Sequence, residues 1–422
     1  MEKSYNKDTF CVAPWVSMHL STFENIVPCC LYKQDSNVFG KLKKGEKLTD
    51  HHNSSTAKDV RKRMWNGEKI AECAECWYRE KVSTNQENPS SYRNQLNTRF
   101  SEHIDEIVEN TNEDFSLKEV KLKMIDLRFD NKCNLKCRIC SPTFSSALYK
   151  EYKELNFGFQ DTGSPYNISI DESEYDTILE QLHNVSLIFF AGGEPLTQDK
   201  YYKILEYCIE NDLAKNITLW VTTNLTKIKY KDWDTVQFWK KFKSVEITAS
   251  IDGSHKRGEY LRKGSTWEGI VANREYILKE IPELRFMIVP TVNIMNGYNV
   301  VELYKEWITK GYIKFNDTHF NLLTDPKHLQ LRNLPDHHKG RLKKLYDETI
   351  EWIQNNTSPE EYTVLGIHDV DQFNFISSLL DLDRDDEQLK TFVTKTHLVD
   401  KYRGDDFFGL FTELADLEKI IE

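Results

Sequence analysis

MIDLRFDNKCNLKCRICSP, residues 124–142, runs a strand pattern straight into three thiols. The apolar, β-branched stretch MIDLRF is followed by a break at Asp130–Lys132, and then by Cys133, Cys137 and Cys140 at spacings of four and three. On a helix those spacings would put all three thiols on one face, the pattern of core cysteines. Helix-breaking neighbours and the interleaved Asn134, Lys136 and Arg138 argue against that reading. A structural zinc ion fills four positions with protein ligands. Three thiolates suit an iron–sulfur cube better, with one iron left free of protein ligands to bind a small molecule.

Working outward, further apolar runs follow at VSLIFFA (185–191), ITLWVTT (217–223), SVEITASI (244–251), RFMIVPTV (285–292) and IKFNDTHFNLL (313–323). Amphipathic stretches such as TQDKYYKILEYCIEN and TWEGIVANREYILKEI separate them. Six alternating β and α units predict an α/β fold: a parallel sheet with helices packed outside, doubly wound or curled into an incomplete barrel. Ligand loops would then follow the carboxyl ends of the strands. NFGFQDTGSPYNIS (156–169) reads as a loop or lid, because Gly, Pro, Asn and Ser cluster there. From about residue 335 the chain reads as helices, including DHHKGRLKKLYDETIEWIQNN and the closing DDFFGLFTELADLEKIIE. The first 80 or so residues are irregular and punctuated by cysteines, with one helix expected in STAKDVRKRMWNGEK, capped by Ser54 or Ser55 and ended by Gly67.

At 422 residues the chain has no need of disulfide staples, and a formal net charge of −11 advertises no general grip on nucleic acid or anionic membrane. The opening MEKSYNKDTF lacks a signal-like apolar stretch and no run approaches a membrane span, so the expectation is a cytoplasmic protein. In a reducing cytoplasm its nine cysteines read as metal ligands rather than as a disulfide framework. Cys208, inside YYKILEYCIEN, is the exception and reads as a small buried hydrophobe.

CNLKCRIC just after the first of these strands, with AGGEP after the second, resembles the radical SAM enzymes. That resemblance implies a partial (β/α)6 barrel in which Cys133, Cys137 and Cys140 hold a 4Fe-4S cluster. The open iron would chelate the amino and carboxylate groups of S-adenosylmethionine. Electron transfer into the sulfonium would release methionine and a 5′-deoxyadenosyl radical that abstracts a substrate hydrogen. By motif, Gly192, Gly193 and Glu194 should face the methionine amino group: glycines allow close backbone approach, and a carbonyl or carboxylate accepts from an ammonium. Thr223 and Asn224 end the third strand, and Ser250 and Asp252 the fourth; all four are candidates for the ribose and carboxylate of the cofactor. The competing reading for each is an ordinary turn residue. Arg262 stands where similar enzymes often carry an arginine near the cofactor carboxylate. Ile139 departs from an aromatic that often sits against adenine, but still offers apolar contact.

The amino-terminal cysteines are Cys11, Cys29, Cys30, Cys73 and Cys76, five thiols for what spacing alone makes a four-ligand zinc or iron–sulfur site. FCVAPWVSMHLSTFENIVPCCLY followed by ECAECWYRE is similar to the auxiliary-cluster segments of SPASM and twitch radical SAM proteins. On that match Cys11, Cys29, Cys73 and Cys76 are ligands of an auxiliary iron–sulfur cluster, expected to be 4Fe-4S, with Cys30 the spare or a replacement for Cys29. In better-known members this segment follows the barrel, whereas here it precedes it. His19 reads as a strand residue of the hairpin rather than a ligand. The closing FVTKTHLVDKYRGDDFFGLFTELADL resembles the ending of twitch-domain proteins. His368, His397, Arg403 and Asp405 are weaker cavity candidates there, with surface or inter-helix roles favoured.

The expected organisation is a cysteine-rich auxiliary-cluster region at 1–115, a radical SAM partial barrel at 116–325 and a helical carboxyl-terminal region at 326–422. The expected function is a radical SAM oxidoreductase that modifies a peptide, fed by an electron donor such as flavodoxin or ferredoxin, with no membrane or nucleic-acid partner. The alternatives are a radical SAM enzyme acting on a sugar, nucleotide or other small metabolite, and a noncatalytic zinc or iron–sulfur protein.

Overall fold

The computed structural model describes residues 5–21, 25–34, 37–43, 46–82, 91–158, 172–357 and 369–421. The expected loop at 156–169 lies mostly, and His368 entirely, outside the described residues. An open, mostly parallel sheet is built from eight strands: β1 (Ser17–Leu20), β2 (Asn25–Val27), β3 (Gly40–Lys41), β4 (Met124–Leu127), β5 (Leu187–Phe190), β6 (Thr218–Thr223), β7 (Ser244–Ala249) and β8 (Arg285–Ile288). Helices alternate with the later strands, among them Asp199–Glu210, Trp267–Glu280 and Asn299–Thr309. This is the α/β arrangement of a partial barrel followed by a helical region, and none of the described helices is long and apolar enough to cross a membrane. The chain divides into two compact units: residues 1–131, 166–222 and 229–246, and residues 132–165, 223–228 and 247–422.

In the first unit the order is β6-β5-β4-β1-β2-β3. β4 and β5 pair in parallel from Met124↔Leu187 to Leu127↔Phe190, and β5 pairs with β6 from Leu187↔Thr218 to Phe190↔Val221. Every residue of β1, β4 and β5 is buried, as expected of parallel strands covered on both faces. The amino-terminal segment supplies the next strand: β1 runs parallel to β4 from Ser17↔Met124 to Leu20↔Leu127, and β2 turns back antiparallel on β1. His19 is therefore a strand residue. Its register partner is Asp126, and the two side chains meet at 2.9 Å.

The expected helix forms at Ser55–Trp65. Ser54 caps it by accepting from the Ala57 amide, and Gly67 follows at φ +93°, a conformation natural to glycine. Its Arg61 is fully buried under the Phe10, Trp15, Trp65 and Phe115 rings' cluster and donates to the carbonyls of Phe115 (2.8 Å), Pro14 (3.1 Å) and His52, and to Asn53 Oδ1 (3.3 Å). Four acceptors from three segments converge on one guanidinium. Burial drags its pKa down to about 10, still far above neutrality, so the side chain stays a cation.

In the second unit β8 follows β7, with Val289 N donating to Ala249 O at 2.9 Å. The expected strand 285–292 stops at Ile288 and resumes only as Thr291–Val292, because Pro290 has no N–H for the ladder. The sixth expected strand, 313–323, is mostly not a strand. It survives as the bridge Ile288↔Thr318 and the short parallel pair Thr291–Val292 with Asn321–Leu322, since Asn316 at φ +69° turns the chain. The carboxyl-terminal region is helical at Asp336–Asn356, Asp369–Ser378 and Asp386–Arg403. The last expected helix is instead a four-residue turn, Phe407–Leu410, and a 3₁₀ segment, Thr412–Ile421. Cys208 is fully buried on the helix Asp199–Glu210, as a small hydrophobe would be.

Replacing Arg61 by Ala strips the partner from two buried and two part-buried acceptors and should lower the stability of the first unit by about 3 kcal/mol. Urea denaturation followed by tryptophan fluorescence measures this. Arg63→Ala, which removes only exposed pairs to Asp59 and Glu68, should leave the midpoint nearly unchanged.

Candidate active site

The three thiols of the second unit sit on a loop with a fixed frame. Lys136–Cys137 forms an antiparallel ladder with Arg262–Lys263, Cys137 opposite Arg262, and Arg138 N donates to Leu261 O at 2.8 Å. Gly264 makes the close approach possible: it adopts φ +106°, and a Cβ there would stand 3.2 Å from Asn134 O. Cys140 N bonds Cys137 O at 3.2 Å, Tyr152 donates to Cys140 O at 2.9 Å, and Ser145 donates to Leu135 O at 2.7 Å. The carbonyls of Leu135, Cys137 and Cys140 are thus occupied. All nine cysteines are free thiols.

Two of the expected cofactor residues meet directly. Asp252 is buried, and its Oδ2 lies 2.8 Å from Arg262 Nε while Oδ1 accepts from Thr291 N at 2.9 Å. The same guanidinium points Nη1 at Cys137 Sγ, 3.7 Å away. Arg262 therefore bridges a carboxylate and a sulfur. Burial would lower its pKa, but Asp252 and then Cys137 outweigh that and hold it protonated. Burial raises the Cys137 thiol to about 11, with Arg262 pulling the other way, and burial raises Cys140 further. Without a metal these thiols stay protonated at neutral pH; binding one would displace the protons.

Asn224 is beside the first thiol. Its Nδ2 donates to Asn134 Oδ1 at 2.9 Å and lies 4.0 Å from Cys133 Sγ, while its Oδ1 accepts from Thr226 N. Thr223 turns its hydroxyl inward to accept from Leu225 N at 3.0 Å, and its carbonyl accepts from Ser250 N at 2.8 Å. Ser250 and Ile139 are half-buried.

In the first unit AGGEP follows β5. Gly192 takes φ +114°, and a Cβ on it would stand 3.1 Å from Asp130 O, so a side chain is excluded on both counts. Gly193 N donates to the same carbonyl at 3.2 Å. Glu194 is fully buried and its Oε1 accepts from Leu196 N at 3.2 Å, capping the turn Pro195–Thr197.

The amino-terminal thiols are also in the first unit. Burial, then Cys30 and then Cys73, Cys76 and Cys11, pushes Cys29 well above the ordinary thiol range, and burial, then Cys11 and Cys76, does the same to Cys73. Cys11 is raised by burial to about 12 and Cys76 to about 11. Arg93 is a cation that acts on Cys11, Cys73 and Cys76. It is fixed by Glu80 at 2.8 and 2.9 Å and by Phe10 O at 2.8 Å. Cys30 faces a different set, Asp126 and Arg128, and is raised to about 12 by burial and then by the carboxylate. Burial also works against the Asp126 charge, but Arg128 at 2.8 Å and His19 hold it down at about 2.

The Radical SAM superfamily model matches residues 127–303. An uncharacterized protein of Methanocaldococcus jannaschii is similar at 29% identity over 133 residues, 31% of this chain and 39% of that protein. Among solved structures, anSMEcpe with bound AdoMet and the Kp18Cys peptide matches at 20% identity and a TM-score of 0.40, over 55% of this chain and 61% of that one. SuiB of Streptococcus suis bound to S-adenosylmethionine matches at 14% identity and a TM-score of 0.37, over 72% of this chain and 64% of that one. The chain thus spans less than two thirds of the length of each of these relatives.

Residues beyond the matched segment hold its cysteine loop. Arg403, at the end of helix Asp386–Arg403, donates Nη1 to Lys136 O at 2.8 Å and makes a two-pronged pair with buried Glu151 at 2.9 and 2.7 Å. Arg138, between the second and third cysteines, pairs with Asp400 and with Asp405 (3.3 Å), and its guanidinium lies 4.1 Å from the Tyr260 ring centroid. Asp400 also accepts from Tyr260 at 2.8 Å and from Phe407 N at 2.7 Å, and Asp405 pairs with Lys263. Arg403 and Asp405, weak cavity candidates in the sequence, are inter-segment ion pairs. His397 is partly exposed beside Phe408 and Glu418. Asp400, Glu151 and Arg138 escaped sequence reasoning; the placement of Arg138 inside CxxxCxxC was the one available signal.

Arg403→Ala leaves Glu151 buried and unpaired and frees the loop carbonyl. The expected outcome is several-fold faster alkylation of Cys137 and Cys140 in metal-free protein, read by mass spectrometry, with Cys208 unaffected and Arg403→Lys intermediate.

Proposed function

We propose that the chain is a radical SAM enzyme in which Cys133, Cys137 and Cys140 hold a 4Fe-4S cluster, and that Cys11, Cys29, Cys73 and Cys76 hold an auxiliary iron–sulfur cluster. The observation that carries the first part is the frame around the triplet: three half-buried or buried cysteines outside any disulfide, the carbonyls of Leu135, Lys136, Cys137 and Cys140 engaged, with Arg262 and Asn224 at two of the sulfurs, inside the segment that matches the family model. The donor set fits the group. Soft thiolates select iron–sulfur clusters, and nearby cations and N–H donors stabilise negative sulfur and tune its potential.

When bound, the cluster and S-adenosylmethionine supply the chemistry, an electron passing into the sulfonium and a 5′-deoxyadenosyl radical abstracting a substrate hydrogen. The protein's part is placement. Arg262, paired with Asp252, offsets charge at Cys137; Asn224 orients its amide at Cys133; Gly192 and Gly193 let the AGGEP turn pack on the Asp130 carbonyl, and we assign their remaining main chain to the cofactor. Thr223, Ser250 and Ile139 are the further residues we assign to the cofactor. Glu194 would have to exchange its amide cap for the cofactor's ammonium, or leave that contact to the glycine backbone.

For the auxiliary site we assign Cys29 in preference to Cys30, because Cys73, Cys76 and Cys11 all act on Cys29, whereas Asp126 and Arg128 are the main charges acting on Cys30. We infer a peptide substrate from the resemblance of this cysteine segment to SPASM and twitch proteins, and a flavodoxin- or ferredoxin-type electron donor. The auxiliary cluster would accept the electron of a net oxidation. A sugar, nucleotide or other small metabolite is the alternative substrate.

Anaerobically reconstituted, dithionite-reduced protein incubated with S-adenosylmethionine should form 5′-deoxyadenosine, detected by chromatography, and the triple variant Cys133→Ala, Cys137→Ala, Cys140→Ala should form none. Equal amounts from both would overturn the assignment. Cys73→Ala with Cys76→Ala should lose one cluster's iron and keep 5′-deoxyadenosine formation; unchanged iron content would remove the auxiliary cluster from the reading.

A further inference from the structure

A third cluster of metal-ligating side chains lies in the second unit, unconnected with any cysteine. His337 and His338 occupy the first turn of helix Asp336–Asn356, and Asp416 lies in the 3₁₀ segment Thr412–Ile421. His337 Nε2 is 2.9 Å from Asp416 Oδ2, and His338 Nε2 is 3.0 and 3.2 Å from the two carboxylate oxygens. One ligand atom from each of the three residues falls within 4.8 Å of the others. Tetrahedral zinc with bonds of about 2.0–2.2 Å to nitrogen and oxygen needs ligand atoms about 3.3 Å apart; the histidine–carboxylate separations are slightly shorter than that, and none of the three separations exceeds 4.8 Å.

We propose that His337, His338 and Asp416 form a binding site for a divalent transition-metal ion of the zinc class, with the remaining position open to water. Two imidazoles and one carboxylate suit zinc or its late first-row neighbours and not magnesium or calcium, which take oxygen ligands. The burial of the three is graded as such a site requires: His338 is fully buried, while His337 and Asp416 are exposed at 59% and 50% and leave an entry path. Behind the buried ring Tyr298 Oη lies 3.0 Å from His338 Nδ1 and 3.5 Å from the His338 carbonyl. With the tyrosine donating to the carbonyl and accepting from Nδ1–H, Nε2 is left as the ligand atom, the orienting partner that metal-bound histidines usually have. Arg341, over the Tyr298 ring at 5.4 Å, is the local cation that the Asp416 charge must offset.

The site would fasten the carboxyl-terminal segment to helix Asp336–Asn356. That segment packs on helix Asp386–Arg403, whose Asp400 and Arg403 hold the cysteine loop. The inference does not rest on the radical SAM reading, because none of its residues touches a cysteine.

The test is a zinc titration of the full-length, cluster-loaded chain against a chromophoric chelator, in parallel with His337→Ala, Asp416→Asn and Tyr298→Phe. Zinc taken up by cysteines is common to all four. The wild type should bind one equivalent more than His337→Ala and Asp416→Asn, Tyr298→Phe should bind that equivalent about tenfold more weakly, and zinc should raise the thermal midpoint of the wild type, that of Tyr298→Phe less, and those of His337→Ala and Asp416→Asn not at all. The two substituted ligands are exposed, so both variants should fold. Equal stoichiometry and affinity in the wild type and the ligand variants would overturn the proposal and leave a hydrogen-bonded contact between helix and tail.

Discussion

The Asp252–Arg262–Cys137 chain is the constraint on which the second unit's chemistry depends. A guanidinium this deeply placed needs a counter-charge, since truncating one partner of a buried pair typically costs about 3–5 kcal/mol. Asp252 supplies it at 2.8 Å and is itself held by the Thr291 amide and, through its carbonyl, by Asn296. Once Arg262 is fixed, its strand fixes Cys137 through the short ladder, and its free nitrogens have one direction left, toward sulfur. The thiol loop is ordered from outside itself.

The same loop is held at its outer edge by the carboxyl-terminal helix. Arg403 and Asp400 take hold of Lys136 O and Arg138, residues that alternate with the cysteines and point away from them. This explains why polar residues interrupt what would otherwise be a cysteine stripe. They are the handles by which a distant helix grips the loop. In the first unit the logic is parallel: Arg93 and Glu80 brace the segment carrying Cys11, and Arg61 ties the helix before Cys73 to three chain segments.

Much of the fold was legible because buried parallel strands are continuous apolar runs bounded by breakers. β4 through β7 appear within a few residues of where their runs lie. The sixth run failed for a local reason: Asn316 in a left-handed conformation and Pro290 in the neighbouring strand interrupt a ladder that hydrophobicity alone would continue. The closing helix failed differently, because spacing cannot separate an amphipathic α-helix from a 3₁₀ segment whose Leu414 and Leu417 are buried three apart.

Composition and spacing by themselves determined the α/β class, the CxxxCxxC loop after a strand, the glycines that must approach main chain, and the pool of amino-terminal thiols. Those are properties of neighbours in the chain, and local sterics and periodicity encode them. Only the tertiary structure brought Asp126 and Arg128 to Cys30, and made clamps of Arg403 and Asp405. It alone brought Asp416 to His337 and His338. Each of those outcomes depends on which charges meet across tens to hundreds of residues, and on the cost of burying a charge unless it meets a partner, which no spacing along the chain records.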